Sequence, residues 1–133
     1  MLYTLDTNAA SPIINGNERV SARWREVKSQ GHTVQLNAIS FYQVRRRLEL
    51  PRFKRKPRLF ESLVGLTGIL LLDLPALERA ASVYQELRKL GTPLEDADIF
   101  AGIALANQAV LVTRNAAYFT RVLGLTLEDW EAK

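Results

Sequence analysis

The chain of 133 residues has no cysteine, which excludes disulfides and thiolate metal sites and agrees with a reducing cytoplasm. It has one histidine, His32, and this follows Gly31 in a turn, where a surface residue is the expected reading. Long hydrophobic runs are missing as well. The longest, Ile69 to Leu72 with its flanks, is strand-sized, so no segment is expected to span a membrane. An acid arrives at Asp6 with no basic region before it, which does not resemble a secretory signal. No glycines follow the first apolar run, so a phosphate-cradling loop is absent. Repeats, low-complexity segments and linkers are also lacking, and residues 1–133 read as one domain. With 47% hydrophobic and 24% charged residues the composition is that of a soluble globular chain, and the net charge of +4 leans towards a polyanionic partner.

What is present is an alternation of short apolar runs with amphipathic stretches. Leu2–Leu5 reads as a first strand, with Asn8 or Ser11 capping a short helix after it. Val20, Trp24 and Val27 recur at helical spacing between Glu18 and Gln30, and Gly31 closes that helix. Thr33–Leu36 is a second strand, Ser40 to Leu50 a helix ended by Pro51, and Leu59–Leu66 another helix. Ile69–Leu72 is expected to be a strand buried on both faces. Pro75–Leu90 carries Leu77, Ala80, Ala81, Tyr84 and Leu87 at helical spacing, and Asp96–Asn107 is an alanine-rich helix. Val110–Val112 is a fourth strand, Ala116–Phe119 a helical turn, and Leu127–Trp130 a last edge strand. Strands separated by helices require crossovers and a mostly parallel sheet, hence an α/β fold. Trp24, Phe60, Tyr84 and Phe100 read as packing.

The polar groups at strand ends and helix starts are the candidates for chemistry. Asp6 ends the first strand, at the sheet edge where α/β folds form ligand crevices. A phosphotransferase of the dehalogenase type would need a second Asp two residues later, where this chain has Asn8. A hard divalent cation such as Mg²⁺ needs only one or two carboxylates plus water. Asp6 as a plain helix cap is the competing reading, and on Asp6 alone the two stand even. Asp96 and Asp98 open the alanine-rich helix; about 200° apart, they do not share a face. Asp98, with Gly102 one turn below it leaving room for a ligand, is the favoured one, and Asp96 is helper or cap. Ser40 to Gln43 fits a capping box, although Glu would serve there equally well. Asp73 precedes Leu74-Pro75 and reads as a helix start.

The basic residues are concentrated. Arg45, Arg46, Arg47, Arg52, Lys54, Arg55, Lys56 and Arg58 face a single Glu49 within that span. A solvated helix face is the usual fate of such a run. Phe53 inside it favours instead a phosphate backbone with stacked bases.

Five motifs in register then carry a resemblance that runs from end to end of the chain. They are Leu5-Asp6-Thr7-Asn8, Asn37 to Arg46, Gly91 to Ile99, and Leu111-Val112-Thr113-Arg114-Asn115 followed by Tyr118-Phe119. Gly124-Leu125 to Asp129-Trp130 is the fifth. Together they resemble a PIN domain of the VapC-type toxins. The resemblance implies a three-layer α/β/α sandwich and an Mg²⁺- or Mn²⁺-dependent endoribonuclease, the toxin of a toxin–antitoxin pair. Such proteins cleave RNA, often transfer RNA, usually form homodimers, and are silenced by a small antitoxin. By position, Asp6 and Asp98, or Asp96, match metal-holding acids, Asn115 matches a further catalytic position, and Thr113 and Asn8 are supporting neighbours. Arg45, Arg46, Arg47, Arg52, Lys54 and Arg55 would hold the RNA. Gln43 departs from the family's usual Glu, which implies a weakened or disabled site. A non-catalytic PIN-like module that binds RNA or protein is the alternative, and a DNA-directed nuclease a third reading.

Overall fold

The computed structural model describes residues 1–51, 56–91 and 97–131. Its strands are β1 (Leu2–Leu5), β2 (Thr33–Asn37), β3 (Ile69–Leu70), β4 (Val110–Val112) and β5 (Thr126–Glu128). They form one sheet in the order β3-β2-β1-β4-β5, and every pair is parallel. The first strand in the chain is therefore the middle one. From it the chain builds outward on one side through β2 and β3, then crosses to the other side for β4 and β5. That reversal puts the topological switch at the carboxyl ends of β1 and β4, the expected position of a ligand crevice.

Helices cover both faces, which makes the three layers expected. On one face Tyr3, Leu5, Val34, Leu36, Val110 and Val112 bury against α1 (Thr7–Ile14), α2 (Glu18–Ser29), α3 (Ala38–Leu48) and α4 (Lys56–Thr67). On the other, Leu111 packs with Val83 and Leu87 of α5 (Leu74–Lys89) and with Ala97, Phe100, Ala101 and Ala104 of α6 (Ala97–Ala106). Phe119 of α7 (Ala116–Phe119) completes that layer. Strand side chains alternate between faces, so β1 sends Tyr3 and Leu5 to the first layer and Thr4 and Asp6 to the second. No helix among the described residues is long and apolar enough to cross a membrane.

Several expectations are corrected. Asp6, not Asn8 or Ser11, caps the first helix, its carboxylate accepting the Ala9 N–H at 2.8 Å. The capping box of α3 is built by Asn37 and Ser40, because the helix starts earlier than the apolar pattern alone indicates. Ser40 is thus the third helical residue, and Gln43 takes no part in the cap. The strand expected over Ile69–Leu72 shrinks to Ile69–Leu70 at the sheet edge, and Leu71 is 71% exposed. A continuous apolar run looks the same whether both its faces are covered or it ends at an edge. On α5 the buried stripe is Ala76, Ala80, Val83 and Leu87, whereas Leu77 and Tyr84 are exposed. The true stripe is rich in small residues, so the larger Leu77 and Tyr84 drew the helical reading one position off. Phe60 and Phe100 are buried as expected, Trp24 only partly. Asp73 caps α5 through the Ala76 N–H, and the His32 ring nitrogen accepts from the Met1 amino group at 3.0 Å.

Small residues on α5 have a purpose in packing. A Cβ added to Gly102 of α6 would lie 2.6 Å from both the Ala80 Cβ and the Ala80 backbone N, and 2.7 Å from the Ala76 carbonyl oxygen. The two helices touch backbone to backbone, and the space beside Asp98 that Gly102 was expected to leave for a ligand is filled by α5. Gly65 of α4 has nothing within 4 Å of its would-be Cβ. Gly102→Ala is expected to destabilise the fold by about 1–3 kcal/mol through overpacking. Gly65→Ala should stabilise it by about 1 kcal/mol through helix propensity. Urea unfolding of the two variants measures both, and equal effects at the two glycines would contradict the close helix contact.

Candidate active site at the carboxyl edge of the sheet

The parallel register fixes which residues meet above the strands. Leu5 is paired with Leu36 on one side and Val112 on the other, and Val112 with Glu128. One residue further along, Asn37, Asp6, Thr113 and Asp129 therefore form a row across the carboxyl edge. By alternation all four face the layer of α5 and α6. Hydrogen bonds lock the row: the Asp6 N–H donates to the Val112 carbonyl at 3.0 Å, and the Thr113 N–H to that of Glu128 at 3.0 Å. The Asn37 amide donates to the Leu5 carbonyl at 3.0 Å and to the Thr4 hydroxyl at 3.2 Å, while its own oxygen caps α3. One buried asparagine thus ties β1, β2 and α3 together.

Asp6 is the buried acid of the row, at 5% exposure. Its surroundings act on its charge in opposite senses. Burial pushes its pKa above the ordinary value of 3.8, since a carboxylate stripped of water favours its neutral form. The Thr113 hydroxyl and the backbone N–H groups of Ala9 and Asn8 pull it back, and the negative charge of Asp129 pushes it up again. Asp129 was not singled out in the sequence as a site residue. The signal that finds it is register: it follows an edge strand whose partner β4 leads into Thr113. Its carboxylate accepts the Glu131 N–H at 2.9 Å.

Thr113 links Asp6 to Asn115. Fully buried, it accepts the Asn115 N–H at 3.0 Å on the hydroxyl that faces Asp6. Asn115 is exposed, precedes α7 and makes no side-chain cap bond, so its amide remains available. Gln43 reaches the same edge from α3, where its side-chain oxygen accepts from the hydroxyl of Thr7, the residue after Asp6. Asn8 is exposed at the start of α1. Asp98 is half-buried in the first turn of α6, on the face towards which Asp6 points, and the helix dipole favours an acid there. Asp96 lies outside the described residues.

The basic residues divide. Arg45, Arg46 and Arg47 are exposed in the last turn of α3. Arg45 pairs with Glu49, and the Arg46 guanidinium sits 5.1 Å from the Tyr42 ring centre. Arg47 and Lys56 line a small cleft with Ser11 and Asn15, where the Lys56 ammonium donates to the Asn15 side-chain oxygen. Arg52, Lys54 and Arg55, and Phe53 with them, lie outside the described residues.

The raised pKa of Asp6 makes stability depend on pH. The folded state holds the proton more tightly than the unfolded chain does, so stability is full below the ordinary aspartate value. It falls as pH rises through the folded value, then levels off. Asparagine caps helices as well as aspartate does and does not ionise. Asp6→Asn is therefore expected to be more stable than the parent at neutral pH in chelator, with the gap closing at acidic pH. Urea unfolding at the two pH values tests this; a gap of the same size at both would leave the buried charge without effect.

Comparison with known proteins places the whole chain. No family model matches it. The chain is 28% identical over 132 residues to the tRNA(fMet)-specific endonuclease VapC of Shigella flexneri, spanning 96% of this chain and 97% of that protein. Among solved structures it is similar to DNA-bound VapBC from Salmonella typhimurium, with a TM-score of 0.84 and 26% identity over 98% of this chain and 99% of that one. VapBC2 from Rickettsia felis, bound to a promoter DNA fragment, superposes with a TM-score of 0.90 at 20% identity, covering 98% of this chain and 100% of that one. Over its full length this chain is thus similar in sequence to a VapC endonuclease and in fold to VapBC structures.

Proposed function

We propose that the chain is an endoribonuclease, the toxin of a toxin–antitoxin pair, hydrolysing RNA phosphodiester bonds with Asp6 at its centre. The observation that carries this is a buried carboxylate at the switch point of a parallel sheet, ringed by donors yet kept short of compensating positive charge. The similarity to a transfer-RNA endonuclease supports RNA as substrate, with transfer RNA the first to test. Similarity to VapBC complexes supports a small antitoxin as partner. A homodimer and a cytoplasmic location belong to the same reading.

A divalent cation fits the donors. Among the described residues no three acidic or histidine side chains are grouped to share an ion. Mg²⁺ or Mn²⁺ would therefore depend on Asp6 and Asp98, with neutral oxygens and water filling the remaining positions, a pattern that Mg²⁺ accepts. When bound, such an ion lowers the pKa of water and neutralises charge developing on the phosphate. The chain's own residues do the rest. Thr113 orients Asp6 and offsets part of the cost of its burial. Asn115 presents an uncommitted amide beside them, suited to holding water or a phosphate oxygen. Arg45, Arg46 and Arg47 offer positive charge on the helix that carries Gln43, and the run continues to Arg52, Lys54 and Arg55.

Gln43 is the weak member. Its oxygen already accepts from Thr7 and carries no charge. A glutamate there could accept the same bond and still offer an anionic oxygen. Gln43→Glu should raise metal-dependent cleavage by at least the roughly 10- to 100-fold typical of a perturbed partner around a metal. The assay is cleavage of a structured RNA pool that includes transfer RNA, in Mg²⁺, Mn²⁺ or chelator. Adding Asp6→Asn to Gln43→Glu should abolish the cutting. If neither the chain nor Gln43→Glu cuts RNA, the nuclease reading fails, and the uncharged Gln43 then favours a module that binds RNA or protein without cleaving.

A further inference from the structure

Beside Asn115 the surface dips into an open depression of about 540 Å³ lined by Arg114, Asn115, Ala117, Tyr118 and Arg121. Its volume is within the roughly 300–1,000 Å³ of small-ligand sites. The geometry points to this depression as a binding site for one nucleotide of single-stranded RNA next to the reacting phosphate, with its base stacked on Tyr118 and its phosphate on Arg121. The inference deepens the ribonuclease reading and rests on it for the position of the reacting phosphate.

Three features favour a nucleotide. Tyr118 is 45% exposed, and its ring is braced edge-on by Phe119, with ring centres 6.0 Å apart and planes at 87°. Phe119 itself is buried, so Tyr118 is an aromatic platform on a fixed base. Tyrosine loses little side-chain freedom on binding compared with a long polar chain, and every base has a face to offer it.

The charge is arranged for one phosphate. Arg114 is engaged by Glu131, whose backbone carbonyl also accepts from Arg19 at 2.9 Å. In the neighbouring depression, lined by Asn17, Arg19, Arg114 and Glu131, the Glu131 carboxylate offsets one of the two arginines. Arg121 has no ion pair among the described residues. Among the described residues Arg121 is therefore the lining cation of the Tyr118 depression that lacks an ion pair, and it is where a phosphate would go.

Continuity with the candidate active site fixes the register of the nucleotide. Asn115 lines the depression and donates its N–H to Thr113, whose hydroxyl faces Asp6. The Tyr118 N–H donates to the Asn115 carbonyl at 2.8 Å, so platform and site belong to one turn of chain. A base on Tyr118 therefore belongs to a nucleotide adjoining the bond at Asp6. None of these residues falls within the basic run at 45–58.

The test is binding of a fluorescein-labelled single-stranded RNA 12-mer (about three times the smallest single-strand site sizes) to the chain in chelator, where nothing is cut. Tyr118→Ala is expected to weaken Kd roughly tenfold and Tyr118→Phe to leave it nearly unchanged. Arg121→Ala should weaken binding and reduce the slope of log K against log salt by about 0.7. Both positions are on the surface, and circular dichroism checks that each variant folds. Parent-like affinity in Tyr118→Ala, or no RNA binding by the parent, overturns the inference and leaves the depression to a protein partner. Cleavage by Gln43→Glu is scored separately. Cutting with Tyr118→Ala binding normally sinks only this site, and Tyr118-dependent binding without cutting sinks only the nuclease.

Discussion

A carboxylate at 5% exposure on the floor of a parallel sheet would give up its charge unless donors surround it. Here the donors come from two places at once: the Asn8 and Ala9 N–H groups in the first turn of α1, and the hydroxyl at the end of β4. Each is held by something larger. The turn of α1 is fixed because Asp6 is its cap, and Thr113 is fixed by its bond to the carbonyl of Glu128. The same side chain starts a helix and sits at the sheet edge. Of the two readings of Asp6 that the sequence leaves even, the structure bears out the cap, which does not exhaust the carboxylate. A cap uses one lone pair of a carboxylate that has about four.

How far the sequence could be read depends on whether a residue's surroundings are local. Strand β1, helix α2 and the cap at Asp73 were legible because period and capping chemistry are set within a few residues. The box formed by Asn37 and Ser40 was missed because Ser40 followed by Gln43 imitates one. Edges were the harder problem: Ile69–Leu72 has the composition of a central strand, and only the order of strands shows β3 to be outermost. Gly102 was misread for a related reason. A glycine on a helix can mean room for a ligand or contact with another helix, and the deciding atoms belong to Ala76 and Ala80. Asp6 and Asn115 were found as residues just past strand ends and Thr113 through the family resemblance, whereas Asp129 needed the pairing of β4 with β5 to bring it to the row of Asp6 and Thr113.

Among the described residues the ion pairs engage Glu128, Glu131 and Glu49 rather than Asp6. Glu128, one residue before Asp129, is held by Arg23 of α2 at 2.6 Å on the opposite face. The Glu131 carboxylate takes Arg114, and its backbone carbonyl accepts from Arg19. Arg45 is occupied by Glu49 on its own helix. These pairs are exposed enough to add little stability.

The row Asn37, Asp6, Thr113 and Asp129 draws on positions spread across almost the whole length of the chain. It exists only when β4 has inserted beside β1 and β5 has added to β4. These strands leave the ribosome after β1, β2 and β3, so a partly made chain carries Asp6 without the hydroxyl that orients it. Whatever chemistry this edge performs is therefore withheld until β4 and β5 have been made and docked. For a protein whose activity would harm the cell that makes it, the order of strands acts as a delay, giving an inhibitor time to be present before there is anything to inhibit.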